Sequence, residues 1–245
     1  MLYWLANLIF QRDFIREIKT LLYSKKNLII FDVGCYKGVF TKKILINFKN
    51  KIKHIYLFDV NRGVKNYISR LILNKLITYN ECALTNKSGK ATFYQNQFFE
   101  SAGSSLSKLV KNDKIWNVTR RLFIGDLFGK KSNYLRYQVK ISSLDNFVKK
   151  NKIKYIDICK VDIEGSELDF LKGSEKTLKS NKVKIFCIEI IEKKKFFNNK
   201  EKRIINLLKK YNFKLIKKSG IYSVSFLSNL KGGDYLFFNK TFLND

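Results

Sequence analysis

The spacing of apolar positions changes along the chain, and each change marks an element. Leu28 to Val33 is a short β-rich run ending in a glycine turn, followed by helical spacing through Phe40, Ile44, Leu45 and Phe48. Ile52 to Phe58 repeats the strand, Asp59 ends it, and Val64, Tyr67, Ile68, Leu71 and Ile72 repeat the helix. Such alternation predicts right-handed crossovers and a parallel sheet. Further strands are expected at Ile77 to Ala83, Ala91 to Gln95, Gln138 to Ile141, Tyr155 to Ile163, Val183 to Ile191, Phe213 to Ile216 and Tyr235 to Phe238. The first two of these are separated by the turn signal Asn86-Lys87-Ser88-Gly89, and Gly232-Gly233 reads as the turn before the last. Helices are expected from near Ser143, over Ser166 to Leu178 and over Lys200 to Tyr211. The stretch from Tyr211 to Phe238 fits an antiparallel hairpin closing the sheet.

Two segments depart from this alternation. Leu5, Leu8, Ile9, Ile15, Ile18, Leu21 and Leu22 recur at near-helical spacing, which predicts an N-terminal helical segment over residues 1–26. It is expected to pack on its own domain, with peripheral membrane contact through residues 1–22 as the other reading. The run Met1 to Phe10 lacks a basic flank and a cleavage site, and Arg12 and Asp13 interrupt it, so neither secretion nor a membrane span is expected and the location read is cytoplasmic. Residues 96–137 keep no period and mix aromatic, glycine, serine and basic residues, which predicts an irregular insertion acting as a substrate lid. A single domain over residues 1–245 is expected.

Hydrophobic residues make up 45% of the chain, enough for a full core, and the formal net charge is +29. Only eight of the 49 basic residues are Arg, proline is absent, and Lys, Ile and Asn abound, as codon usage in an A/T-rich genome would give. The lysines are scattered over expected helix faces and turns. That distribution argues for solvated faces over a nucleic-acid partner, with an acidic substrate or surface as a lesser reading. Cys35, Cys82, Cys159 and Cys187 share no CxxC spacing and His54 stands alone, so the thiols read as reduced core residues and no metal ligands are assigned. Oligomeric state is not legible.

In an open parallel sheet, ligands bind outside the carboxyl ends of the strands. Directly after the first strand stands Asp32-Val33-Gly34-Cys35-Tyr36-Lys37-Gly38, a D-x-G-x-x-x-G pattern. Gly34 would let the backbone approach a ligand, and Gly38 would let the next helix pack closely on the strand. Dinucleotide sites use G-x-G-x-x-G to seat a pyrophosphate. The spacing found here suits S-adenosylmethionine, which has no phosphate and whose cationic amino group an acid at Asp32 would hold, directly or through water. Asp59, with Val60 beside it, sits where a carboxylate would accept both ribose hydroxyls, or else would cap the next helix. Cys82 and Ala83, ending the third strand, are placed near the adenine, and Tyr36 within the loop. The strongest signal is Lys160-Val161-Asp162-Ile163-Glu164-Gly165-Ser166-Glu167, where two acids leave a buried strand on one side of its pleat. Glu189 adds another acid at the same edge. A helix-capping role for this segment is the plain alternative.

Taken together, Asp32-Val33-Gly34 with Gly38, Phe58-Asp59, Ala83-Leu84 with Ser88-Gly89, Ser104-Ser105-Leu106, Ser143-Leu144-Asp145, Lys160 to Gly165 with Glu167, Leu171-Lys172-Gly173, and Ile188-Glu189 resemble the FkbM family of methyltransferases in order, over roughly Ile29 to Ile191. Two positions depart from the family: Cys35-Tyr36 replaces the usual Ala-Asn, and Asp59-Val60 the usual Glu-Pro. The resemblance implies a Rossmann-like class I methyltransferase fold, a mostly parallel seven-stranded sheet with helices on both faces and a C-terminal antiparallel hairpin. It also implies methyl transfer from S-adenosylmethionine to a hydroxyl of a sugar, glycan or small metabolite. Asp162, Glu164 and Glu189 are then the candidate bases, with Asp162 also at the cofactor. Ser104, Ser105 and Glu189 are the candidate acceptor contacts. Ribose methylation of RNA and a non-catalytic binding role stay open at this point.

Overall fold

The structure, a computed structural model, describes residues 14–96, 106, 134–193, 199–224 and 230–243. Its strands are β1 (Leu28–Val33), β2 (Ile52–Asp59), β3 (Ile77–Glu81), β4 (Ala83–Leu84), β5 (Gly89–Asn96), β6 (Tyr134–Ser142), β7 (Ile156–Val161), β8 (Val183–Lys193), β9 (Phe213–Val224) and β10 (Leu230–Asn239). Helices are α1 (residues 14–21), α2 (Val39–Phe48), α3 (Val64–Ile72), α4 (Leu144–Lys150), α5 (Glu167–Lys172), α6 (Glu175–Lys179) and α7 (Lys200–Lys210). Seven strands form one sheet in the order β3-β2-β1-β7-β8-β10-β9, parallel except that β10 runs antiparallel to β8 and β9.

Strand β1 lies at the centre and is buried along its whole length, so its residues serve both faces. Leu28 and Ile30 pack with Ile18 and Leu22 of the N-terminal segment, Ile44 of α2 and Ile68 of α3. Ile29, Phe31 and Val33 point the other way, toward Val148 of α4, Phe170 of α5, Leu178 of α6 and Leu208 of α7. Helices thus cover both faces, as expected. The described part of the N-terminal segment packs on its own domain; residues 1–13 lie outside the described residues.

Five features differ from the sequence expectation. The third strand stops at Glu81 because the Cys82 N–H turns back to the Asn80 carbonyl at 2.8 Å, and Ala83–Leu84 is released to pair with β6. With β5 these form a second sheet, β4-β6-β5, whose antiparallel pairing runs from Gly89↔Ile141 to Asn96↔Tyr134. The insertion expected over 96–137 therefore begins and ends in paired strand, and its span outside β5 and β6 is 97–133. The helix expected over Ser166 to Leu178 splits into α5 and α6 at Gly173, where a Cβ would stand 1.9 Å from the Thr85 carbonyl oxygen. Strand β7 ends at Val161 rather than at Ile163. Gly232-Gly233 is not a turn but the interior of β10, opposite Ile191 and Ile190, beside a register shift against β9.

From β1 the chain steps outward to β2 and β3 on one side, and from β7 to β8 on the other. The carboxyl ends of β1 and β7 consequently flank a crevice at the point where strand order reverses.

Candidate active site

The loop leaving β1 lies directly against the end of β7. The Gly34 N–H donates to the Phe58 carbonyl at 2.9 Å, and the Asp162 N–H donates to the Val33 carbonyl at 2.9 Å. Gly34 has a φ of 78°, and a Cβ there would stand 1.8 Å from the Asp162 carbonyl oxygen, so no side chain fits. Gly38 has a different task from the one expected. A Cβ on it would meet Leu71 and Ile68 of α3, not β1, so this glycine admits the neighbouring helix.

Asp32 does not face the crevice. Its carboxylate is fully buried, accepts from Thr41 Oγ1 at 2.7 Å through Oδ2, and presents Oδ1 to Lys160 Nζ at 3.5 Å. A direct hold on a ligand's amino group, one of the two forms of the sequence expectation, does not fit this burial. Lys160 also donates to the Gly34 carbonyl at 2.8 Å and pairs with Asp162 Oδ2 at 3.1 Å. Burial alone would make the ammonium easier to deprotonate, but the two carboxylates outweigh it and raise the Lys160 pKa.

Asp59, half-buried, organises the second edge. Its Oδ1 accepts from the Val60 and Asn61 N–H groups at 2.8 and 2.9 Å, and its Oδ2 accepts from the Tyr36 N–H at 2.9 Å. Burial pushes the carboxyl up, and these N–H donors pull against it. Helix α3 is capped by Gly63, so Asp59 closes a loop and does not cap the helix. With two N–H donors on Oδ1 and one on Oδ2, one acceptor site is left, on Oδ2. Val60 and Ala83 share one small apolar cluster with Phe93, Val139, Ile141 and Leu106. Cys82 is buried in the turn just before Ala83. Tyr36, Asp59, Val60 and Ala83 are thus brought to one side of the crevice.

Asp162, Glu164 and Glu189 come together on the other side, each with a carboxylate oxygen within 4.8 Å of the others. The mechanism is not the strand pleat: β7 has already ended, and Glu164 enters through a φ of 51° followed by Gly165 at 112°. The Gly165 N–H is held by Glu167 Oε1 at 2.9 Å, and buried Glu167 pairs in turn with Lys200 at the start of α7. The spacing of the three oxygens would let a cation or one acceptor hydroxyl be shared, and Lys160 already supplies positive charge beside Asp162. Burial pushes Asp162 up, yet Lys160 and hydrogen bonding with Glu189 leave it below its ordinary value. Burial, Asp162 and Glu164 push Glu189 far up, so Glu189 is the weaker acid of the pair.

Two participants have no role in the sequence reading. Asp234 pairs across from Glu189 in β10 and is pushed up to about 7 by burial and by Asp162. The Gly232-Gly233 signal hid it, although a lone acid beside the aromatic run Tyr235 to Phe238 was visible. Lys160 was visible too, as the one cation in the apolar run Ile156–Val161. Ser104 and Ser105 lie outside the described residues.

An open, doubly covered sheet of this strand order, with acids in place of a pyrophosphate cradle at its central crevice, is the architecture of a Rossmann-like methyltransferase. Residues 32–215, about three quarters of the chain, match the model of the methyltransferase FkbM domain, and the chain belongs to that family. Among solved structures it is similar to methyltransferase FkbM from Methylobacillus flagellatus KT, with a TM-score of 0.52 and 14% identity over 87% of this chain and 43% of that one. It therefore spans less than half of that relative's length. A putative tRNA (m1A22) methyltransferase of Streptococcus pneumoniae, solved with S-adenosyl-L-methionine, aligns at a TM-score of 0.44 and 10% identity over 91% of this chain and 72% of that one. No curated protein matches the sequence. Among the described residues no helix is long and apolar enough to cross a membrane.

Proposed function

We propose that the chain is an S-adenosylmethionine-dependent O-methyltransferase acting on a hydroxyl of a sugar, glycan or small metabolite. The observation that carries this reading is the convergence of Asp162, Glu164 and Glu189 beside the glycine loop at the switch point of the sheet. Acids at both edges of the crevice suit a cationic, phosphate-free cofactor and would repel a pyrophosphate. Asp59 would hold the ribose, Val60 and Ala83 would flank the base, and Asp162 would face the amino group. When bound, S-adenosylmethionine supplies a methyl group activated by a sulfonium leaving group.

The chain's own task is to fix an acceptor oxygen in line with that methyl group and to take its proton. The acceptor hydroxyl would give its proton to a carboxylate as its oxygen takes the methyl group. Asp162 or Glu164 would receive it, with Glu189 beside them orienting the acceptor. The acidic cluster of Asp162, Glu164 and Glu189, with Lys160 as the cation paired to Asp162, favours a neutral or cationic acceptor over an anionic one, and so favours a small hydroxylated compound over nucleic acid despite the net charge of +29.

Labelled methyl donor, purified chain and a metabolite and glycan extract from the source cell, read by mass spectrometry, test this. A labelled methyl ether is expected. Glu164→Ala should keep S-adenosylmethionine binding in titration calorimetry and lose transfer; full activity in that variant would overturn the assignment of Glu164, and label confined to RNA would overturn the acceptor class.

A further inference from the structure

A lysine in the middle of a buried parallel strand needs a reason, since its neighbours in β7 are apolar apart from Asp157 near the strand's start. Lys160 stands opposite Asp32 of β1 and Cys187 of β8, with its side chain 13% exposed. Its ammonium donates to the Gly34 carbonyl at 2.8 Å, pairs with Asp162 Oδ2 at 3.1 Å, and faces Asp32 Oδ1 at 3.5 Å as an ion pair without a hydrogen bond. Thr41 of α2 locks the far oxygen of Asp32 at 2.7 Å, so the buried carboxylate cannot swing away. The contacts form a continuous line from α2 through β1 and β7 to the Asp162 and Glu189 pair.

We propose that Lys160 is a positioning residue: its ammonium ties the backbone of the glycine loop at Gly34 to the carboxylate of Asp162, and so shapes the half of the crevice that receives the methionine end of the cofactor. The proposal rests on the cofactor reading given above. The ribose edge built on Asp59 has its own hydrogen bonds to Tyr36, Val60 and Asn61, and shares no side-chain hydrogen bond or ion pair with Lys160. Loss of Lys160 should therefore be felt unequally along the ligand.

Adenosine and S-adenosylhomocysteine differ in that methionine-derived end, and calorimetric titration of the full chain with each separates the two halves. Lys160→Met is expected to weaken S-adenosylhomocysteine at least tenfold and to leave adenosine within twofold. Where that variant fails to fold because Asp32 is stranded, the double variant Asp32→Asn with Lys160→Met removes the unbalanced charge and should show the same selective loss. Equal weakening of both ligands, or no weakening of either, overturns the proposal. A wild-type chain that binds neither ligand overturns the cofactor reading itself and this proposal with it, a result distinct from a wild type that binds both and a variant with an unchanged ratio.

Discussion

Alanine at Gly34 should damage the fold more than alanine at other glycines, and the structure separates the reasons. Gly63 has a φ of 93° with nothing within 4 Å of an added Cβ, so Gly63→Ala measures backbone strain alone, about 1–2 kcal/mol. Gly173 has an ordinary φ of −73° but would place its Cβ 1.9 Å from the Thr85 carbonyl oxygen, so Gly173→Ala measures a backbone clash alone. Because a carbonyl has no rotamer to relax into, overpacking of this kind should cost about 1–3 kcal/mol. Gly34 carries both penalties, a φ of 78° and a contact of 1.8 Å with the Asp162 oxygen. Gly34→Ala should therefore cost about 2–5 kcal/mol, a fall in Tm of roughly 5–20 °C for a domain of this size. Urea unfolding and thermal melts of the three variants check the ranking. Stability of Gly34→Ala equal to that of Gly63→Ala would refute the close approach of the β1 loop to the end of β7.

Asp59→Ala should strand the N–H groups of Tyr36, Val60 and Asn61 and abolish S-adenosylmethionine binding in calorimetry, while Asp59→Asn, which keeps one carbonyl acceptor, should bind weakly. Asp234 should make stability fall with pH: its carboxyl rises from an ordinary 3.8 to about 7 on folding, so its contribution is present below pH 4 and lost as pH climbs to 7. That displacement is worth up to roughly 4 kcal/mol. Melts at pH 5 and pH 8 should accordingly converge in Asp234→Asn relative to wild type. Lys200→Met should leave Glu167 buried without its cation and cost about 3–5 kcal/mol in chemical denaturation, whereas adding Glu167→Gln should recover part of the loss.

The main sheet was legible because its strands are long apolar runs separated by helical periods, and Phe31 or Ile158 could hardly sit elsewhere. Less legible was anything decided by backbone rather than side-chain pattern. Cys82 reads as strand but turns, because one N–H finds Asn80. Gly232 and Gly233 read as a turn but pair, because β8 runs alongside. The carboxylates were found from their residue types, yet the route that joins Glu164 to Asp162 is a left-handed kink that alternation does not encode. Asp32 was assigned to the ligand because its position is suggestive; only tertiary packing reveals that Thr41 and Lys160 enclose it.

The pairing of Asn96 with Tyr134 has an evolutionary consequence. Whatever lies between them departs from and returns to adjacent points on the small sheet, so changing its length alters a loop-closure term that grows only logarithmically, about 0.6 kcal/mol per doubling. Inside that span Leu106 packs on the cluster of Val60, Phe93, Val139 and Ile141, so this contact ties the segment to the end of β2. Length can therefore change cheaply between Asn96 and Tyr134 on either side of Leu106, while Leu106 itself is held to the rest of the fold.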